Sequence, residues 1–342
     1  MNALQEVTMA DVAKLANVSK STVSQYLNKR YEYMSEETRR RIAEAIEQLQ
    51  YRPNVIARSL KQKSTATIGV IVFNILHMLT TQVLRAIEDM CQQHDFHVIV
   101  CNTDDDPEKE KKYIDMLWAK QVDGFIIFPT GKNVDLYKKM IEARLPVVFV
   151  DRTVEGIDVD AVLLDNERAV QLGVHYFIEQ GYKHIGLVAP PFAPHVIPRT
   201  ERINAFRHAL REANLPIEEE WIITEQVKHI SGRLDALWQR DKLPEAIFAI
   251  NDLTLMEVLT FAKRRQLTIP HDIALISIDD VPFASIYTPS LTTIAQPAFE
   301  MGEKATERLF MQMDGDISPQ MFRLAPKLIE RDSAKKRGDK IE

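Results

Sequence analysis

Apolar residues recur along this chain at two spacings, and the spacing changes near residue 64. Between Thr8 and Leu49 they fall three or four apart: Val12, Leu15 and Ala16, then Val23, Tyr26 and Leu27, then Ile42, Ala45, Ile46 and Leu49. That is helical periodicity, and it predicts three short helices sharing a small core. Thr8, Ser19 and Ser35-Glu36-Glu37-Thr38 stand where N-caps belong. Asn17-Val18 separates the first two helices, since Asn tolerates a left-handed corner. From Thr67 the pattern becomes one of continuous apolar runs: Thr67 to Phe73, Phe96 to Cys101, Val122 to Phe128 and Pro146 to Val150. A second series follows at Lys183 to Ala189, Trp221 to Thr224, Ala246 to Ile250 and Ile273 to Ile278. Helical stretches around 166–180, 200–213, 229–240 and 252–265 alternate with them. Fully apolar strands fit parallel sheets buried on both faces. Two alternating series predict two doubly wound α/β lobes behind a three-helix head.

Charge divides at the same place. Residues 1–63 carry eleven Lys or Arg against seven Asp or Glu, a balance of +4, while the rest carries 32 against 42, or −10. A basic head on an acidic body suits a head that meets phosphate. Arg39-Arg40-Arg41 taken alone reads as a solvated helix face. Cys91 and Cys101 are the only thiols, both in apolar settings, so no disulfide framework is expected and a reducing cytoplasm fits. No apolar run approaches the length of a membrane span, and no basic-then-apolar export signal opens the chain. The nine histidines are scattered without ligand spacing, glycine is sparse, and no phosphate loop or nucleophile elbow is present. Neither metal nor cofactor is therefore expected. Asp104-Asp105-Asp106 before Pro107 reads as a loop and helix start.

The second helix of the head leaves Lys20, Ser21, Ser24 and Gln25 on its outer side. In a helix-turn-helix the start of the second helix enters the major groove, where such small or hydrogen-bonding groups belong. The run from Thr8 to Asn28 matches T-x-x-D-V-A-x-x-A-x-V-S-x-x-T-V-S-x-x-L-N, and Tyr51 to Leu60 matches Y-x-P-N-x-x-A-x-x-L. On these two motifs the chain resembles the LacI/GalR family of bacterial transcriptional regulators, with the likeness running from about Thr8 to Ser333.

The resemblance implies a hinge that becomes helical only on the operator. Leu60 would wedge into the minor groove, with Ala57 packed beside it and Asn54 near the helix start; an apolar wedge of this kind unstacks a base step. Read from the bare sequence, Leu60 is the last apolar residue of a linker. The implied DNA-contacting set is Thr8, Lys20, Ser21, Thr22, Ser24, Gln25, Asn28, Tyr51, Asn54, Ala57 and Leu60. Lys20, Ser21 and Gln25 would face base edges, with Thr22 and Ser24 on phosphate. Gln25 stands where Arg is common in the family, so a common half-site is not assumed. Dimers in the family imply a near-palindromic double-stranded DNA operator.

Open α/β sheets bind ligands at the carboxyl ends of their strands, so two facing lobes make a cleft. Asp151 and Arg152, Asp165, Asn251 and Asp252, and Asp279 and Asp280 all follow strands. Carboxylates and amides converging there suit a polyhydroxylated ligand. For Asp252 alone, capping of the next helix is the preferred reading. The resemblance places effector contacts at Asp151, Asp165, Arg202, Asn251, Asp279 and Gln296; Asn74, Arg152 and Arg199 complete the candidate set. Ala205, Leu255, Glu257 and Ser277 depart from family positions behind the site. Three arginines favour a carboxylate-bearing effector, a sugar acid such as a hexuronate or a keto-deoxy-gluconate, over a neutral sugar. The competing reading pairs Arg152 or Arg199 with Glu155 or Glu201.

The expected organisation is a head over 1–50 and a hinge and linker over 51–63. A first lobe over 64–162 (with about 291–322) and a second over 163–290 (with about 323–334) follow, then a charged tail over 335–342. The expected function is a homodimeric, effector-controlled repressor of carbohydrate-catabolism genes that effector binding releases from DNA. The alternatives are a sugar-acid-processing enzyme tethered to DNA, with Asp151 and Asp279 as acid and base, and a regulator using a protein co-regulator.

Overall fold

The computed structural model describes residues 7–32, 34–51, 64–193, 196–316 and 318–335. The chain divides into two compact units, Met1–Thr65 and Ala66–Glu342. The expected helix-turn-helix head is present: α1 (Met9–Leu15), α2 (Lys20–Leu27) and α3 (Glu36–Leu49). Asp11 reaches back to the start of α1, accepting from the Thr8 backbone N–H at 2.9 Å and from its hydroxyl at 2.7 Å. The Ser19 and Ser35 hydroxyls accept from the amides of Thr22 and Thr38 at 3.1 and 3.2 Å. Asn17 turns the corner at φ 51°. Val12, Ala13, Ala16, Val23, Ile42 and Ala45 fill the core, and Tyr51 closes it. Leu15 departs from the pattern: it is 45% exposed, and Ala13 takes the inward position.

The body contains β1 (Thr67–Val72), β2 (His97–Asn102), β3 (Gly124–Ile127), β4 (Val147–Val150) and β5 (Asp160–Leu164). It continues with β6 (Ile185–Ala189), β7 (Ile222–Thr224), β8 (Ala246–Ala249) and β9 (Ala274–Ile278), then β10 (Thr292–Ala295), β11 (Met321–Leu324) and β12 (Lys327–Ile329). Its helices are α4 (Met78–Gln93), α5 (Pro107–Ala119), α6 (Val134–Glu142), α7 (Asn166–Glu179), α8 (Ile197–Glu212), α9 (Val227–Leu237), α10 (Asp252–Arg265) and α11 (Ala298–Met313). Two six-stranded sheets result, ordered β11-β5-β4-β3-β1-β2 and β12-β10-β9-β8-β6-β7. Every pairing is parallel except β10 with β12.

Alternation sorts each strand's residues to the two faces. Ala246, Phe248 and Ile250 join one core and Ile247 and Ala249 the other. Ile126 and Phe128 likewise separate from Phe125 and Ile127. Both faces are covered, which is why these strands read as unbroken apolar runs.

The chain crosses between lobes after β5, β10 and β11, that is after Leu164, Ala295 and Leu324. Each crossing falls later than the sequence suggests, and β10 joins the second sheet where the first lobe was expected to resume at 291. The closing Arg-x-Ser holds it there. Ser333 Oγ donates to the Leu275 carbonyl at 2.6 Å and accepts from the Thr292 amide at 2.8 Å. Arg331 donates to Asp280 at 2.7 Å and to the Leu291 carbonyl at 2.7 Å. In the first lobe Asp160 pins α11: it accepts from Arg308 Nε at 3.1 Å, Gln312 Nε2 at 2.6 Å and the Gln320 amide at 2.8 Å.

At Gly302 helices α4 and α11 touch. A Cβ there would stand 2.6 Å from the Val83 carbonyl oxygen and 2.7 Å from Ala86 Cβ. Backbone cannot yield as a side chain does, so Gly302→Ala is expected to destabilise the body by about 1–3 kcal/mol. Urea unfolding checks this as a lowered midpoint at unchanged slope.

Candidate functional site

On the head, α2 presents Lys20, Ser21 and Gln25 to solvent, with Thr22 and Ser24 half-buried. The cap organises this end: Ser19 Oγ lies 2.6 Å from Ser21 Oγ and 2.8 Å from Thr22 Oγ1. Asn28 closes the other end, donating from Nδ2 to the Ser24 carbonyl at 2.7 Å. Tyr51, in the expected contact set, faces inward. It is 8% exposed and packs into the head's core, where burial pushes its hydroxyl pKa up. Asn54, Ala57 and Leu60 lie outside the described residues.

In the body, polar groups gather where the strand ends of the two lobes meet. Asp105 follows β2, Asp151 follows β4 and Asp279 follows β9, at φ of 59°, 67° and 81°. Asp tolerates this left-handed backbone better than most residues, and clustering of such conformers is a mark of ligand sites. Arg152, 2% exposed, donates from Nη1 to Asp105 at 2.6 Å and sits 4.3 Å from the centroid of the Phe73 ring. Its Nε lies 3.4 Å from Asp151 Oδ2. Arg199, on α8 of the second lobe, reaches the same Asp105 at 3.4 Å. One carboxylate thus stands between two guanidinium groups from opposite lobes. Burial, then the neighbouring Arg152, lowers the pKa of Arg199.

Deeper in the second lobe, Arg202 is held by Asn166 Oδ1 at 2.8 Å and the Ile250 carbonyl at 2.7 Å. Its pKa is lowered by burial, against the pull of Asp279 and Asp151. Asp279 accepts from Gln296 Nε2 at 2.6 Å and from the Asp252 amide at 3.1 Å. Burial raises its pKa, and the adjacent Asp252 carboxylate adds to the rise. Arg152 Nε, Thr200 Oγ1 and Gln296 Oε1 are buried without a hydrogen-bond partner among the described residues. Buried polar atoms without a partner are groups that a hydroxylated ligand can satisfy.

Asp151, Arg152, Arg199, Arg202, Asp279 and Gln296 are therefore brought together. Asp165 is not. It caps α7, accepting from the Arg168 amide at 2.9 Å, and lines a separate open pocket of about 590 Å³ with Glu201, His208 and Arg323. Another pocket of about 400 Å³ lies under the 153–159 loop, beside Val154, Ile157 and Met321. Asn74 Oδ1 accepts from the Leu76 amide at 2.9 Å, bracing the turn into α4. Asn251, whose Oδ1 accepts from the Thr254 amide at 2.9 Å, is the cap of α10. Asp252, read as that cap, instead points across to His77 of the first lobe. Glu155 and Glu201 are not the partners of Arg152 and Arg199. Asp105 is, and Glu201 pairs with Arg323 and Asn166.

Three participants were missed. Asp105 looked like part of a loop, although its place after a strand was the available signal. Asn166 and His77 gave none, because their roles depend on a partner 36 and 175 residues away.

A DNA-reading head joined to a two-lobed receptor defines a ligand-responsive transcriptional regulator. Residues 8–54 match the model for bacterial regulatory proteins of the lacI family, and residues 174–334 that for a periplasmic binding protein-like domain. The chain is 46% identical over 335 residues to the probable HTH-type transcriptional regulator EndR of Paenibacillus polymyxa, covering 96% of this chain and 98% of that one. It is 32% identical over 332 residues to the HTH-type transcriptional regulator KdgR of Bacillus subtilis, covering 95% and 97%. The fold matches the lac repressor dimer bound to operator and the anti-inducer ONPF at a TM-score of 0.85 and 24% identity, covering 97% of this chain and 100% of that one. The chain belongs to the LacI family and is a DNA-binding transcriptional repressor with an effector-binding body. Among the described residues no helix is long and apolar enough to cross a membrane.

A buried carboxylate whose folded pKa is raised weakens the fold while ionised, and the deficit vanishes as pH falls through that folded value. Asp279→Asn is accordingly expected to raise the melting temperature at neutral pH. Gln296 can flip so that its free Oε1 accepts from the new amide. The gain over the wild type should shrink on acidification, because Asp279 then carries a proton of its own. Calorimetric scans from pH 7 downwards check both signs.

Proposed function

We propose that this repressor works as a homodimer on a near-palindromic operator and that a small sugar acid filling the cleft releases it, so that carbohydrate-catabolism genes are transcribed. One observation carries the choice of effector: Asp105 is shared by Arg152 and Arg199. Arg152 Nε faces Asp151 at 3.4 Å without a hydrogen bond, and Arg199 meets Asp105 at 3.4 Å, so both guanidinium groups keep donors for a further carboxylate, which Arg is suited to recognise bidentately. Asp151, Asp279 and Gln296 supply acceptors and an amide for hydroxyls, which a sugar acid carries on the same small frame. A binding role is favoured over a reactive one because Gln296 and the Asp252 amide fix Asp279 as an acceptor, and each of its oxygens keeps a second lone pair for a ligand hydroxyl.

On the head, Lys20 and Gln25 are exposed and make no side-chain hydrogen bond among the described residues. Lys suits guanine O6 and N7, and Gln pairs with adenine N6 and N7. Ser21 also faces outward at the start of α2. Thr22 and Ser24, half-buried, are assigned to phosphate contacts, which fix register without reading sequence. Pairing of two heads would follow the arrangement of the lac repressor structure, a dimer bound to operator.

Two measurements test this reading. Titration calorimetry with galacturonate, glucuronate and 2-keto-3-deoxygluconate, against glucose and galactose, should show the acids binding roughly 10- to 100-fold tighter, the range of one charge-assisted contact. The sugar should be recovered unchanged. Equal or tighter binding of a neutral sugar would reject the acid. In a half-site library, Lys20→Ala and Gln25→Ala should each flatten the preference at one position by about 1–3 kcal/mol. An unaltered profile removes that residue from base reading.

A further inference from the structure

Asp252 is the first residue of α10, yet it does not cap that helix, because Asn251 does. Its carboxylate leaves the second lobe and meets the start of α4 in the first. Oδ1 lies 2.6 Å from His77 Nδ1, and Oδ2 accepts from the Met78 amide at 2.8 Å. Both side chains are nearly buried, at 13% and 9% exposure. Burial raises the pKa of Asp252, but His77 and the Met78 and Leu253 amides outweigh it and hold the group below the usual range. The contact adjoins the cleft from both sides. The Asp252 amide donates to Asp279, and the Phe73 ring that receives Arg152 lies 5.1 Å from the His77 ring.

The covalent chain joins the lobes where it crosses, at the β5–β11 side of one sheet and the β10–β12 side of the other. His77 follows β1, three strands from β5, and Asp252 follows β8, two strands from β10. At about 4.8 Å per strand the contact stands roughly 14 and 10 Å from the crossings. Opening the lobes by about 10° about those crossings would separate it by about 2.5 Å, beyond hydrogen-bond reach. The pair cannot persist in an opened body, so it weights the equilibrium towards closure.

We propose that Asp252 and His77 form the positioning pair that couples effector occupancy to lobe closure. This rests on the reading of the cleft as the effector site. Two buried carboxylates, Asp252 and Asp279, repel each other across one backbone hydrogen bond. A ligand that donates hydroxyl protons to Asp279 spreads its charge and relieves that repulsion, so Asp252 settles onto His77 and Met78. Thermodynamic reciprocity then requires that whatever strengthens this contact also strengthens effector binding.

The test needs no effector. Spin labels at Lys111→Cys on α5 and Lys228→Cys on α9, both exposed and one on each lobe, report lobe separation in the full chain by pulsed dipolar spectroscopy. Cys91 and Cys101 are buried with raised thiol pKa values, Cys91 to about 11, so they label poorly. Asp252→Asn and His77→Ala should each raise the population of a longer distance on the order of tenfold, as loss of a charge-assisted hydrogen bond implies. The double variant should add nothing further. His77→Asn, which returns a donor near the Nδ1 position, should restore the short distance, which a merely structural role would not predict. Unchanged distances in both single variants, or additive changes in the double, overturn the proposal. Should Asp252→Asn fail to melt cooperatively, His77→Ala and His77→Asn decide alone. If the distances shift while no sugar acid binds, the pair stands and the effector assignment falls.

Discussion

Charge buried where two lobes meet must be paired there, within its own lobe or across the gap. Arg152, Arg202, Asp151 and Asp279 are each at most 5% exposed. An isolated ion in such a place costs several kcal/mol, and a pair recovers that only with good geometry and further hydrogen bonds. Here the partners come from separate elements: Asp105 from the end of β2, Arg199 and Arg202 from α8, Asp252 from α10, His77 from the turn into α4. Some of these pairs close within a lobe, as Arg152 does with Asp105, and others reach across, as Arg199 does to Asp105 and Asp252 to His77. The body is therefore held together at the cleft by electrostatics and along the crossings by covalent chain, with the hydrophobic cores confined to the lobes.

That division is what a switch requires. Two close-packed lobes resist internal deformation, so a small change in the cleft is expressed as rigid-body motion about the crossings. The polar cluster sits at strand ends because parallel strands deliver their carboxyl ends to one edge, and each following helix begins there with its amides facing the gap. Control of the DNA-bound state is limited to the free energy by which a ligand prefers one lobe arrangement over the other. An interlobe contact poised between forming and breaking is more useful to such a protein than a strong one.

The apolar runs of the strands and the serine caps of α2 and α3 could be read directly, because local periodicity and local hydrogen bonds create them. The short strands β10, β11 and β12 were not legible: they are three or four residues long, and β11 is half exposed, so no run announces them. Adjacent acidic and amide residues show the limit most clearly. Asp279 enters the cleft while Asp280 turns back to Arg331, and Asn251 caps a helix while Asp252 crosses to the other lobe. Successive residues leaving a strand point in opposite directions, and only the three-dimensional neighbours decide which one meets a ligand. Asp165 and Tyr51 were carried over by motif position, and each is engaged locally, as a helix cap and as core filling.

Asp105 gives the proposed specificity a physical form. Its carboxylate already supplies Arg152 and Arg199 with an anion, so the arginines are neither free nor fully matched: the contacts run from 2.6 Å to 3.5 Å. An entering carboxylate competes with an internal one, and it wins only by making shorter bonds to both guanidinium groups while its hydroxyls reach the orphaned atoms of Gln296 and Thr200. A neutral sugar meets the second condition and not the first. It would leave the arginines as they were and gain nothing from their charge. Selectivity on this view comes less from attraction, which many anions share, than from the need to meet both conditions with one rigid molecule.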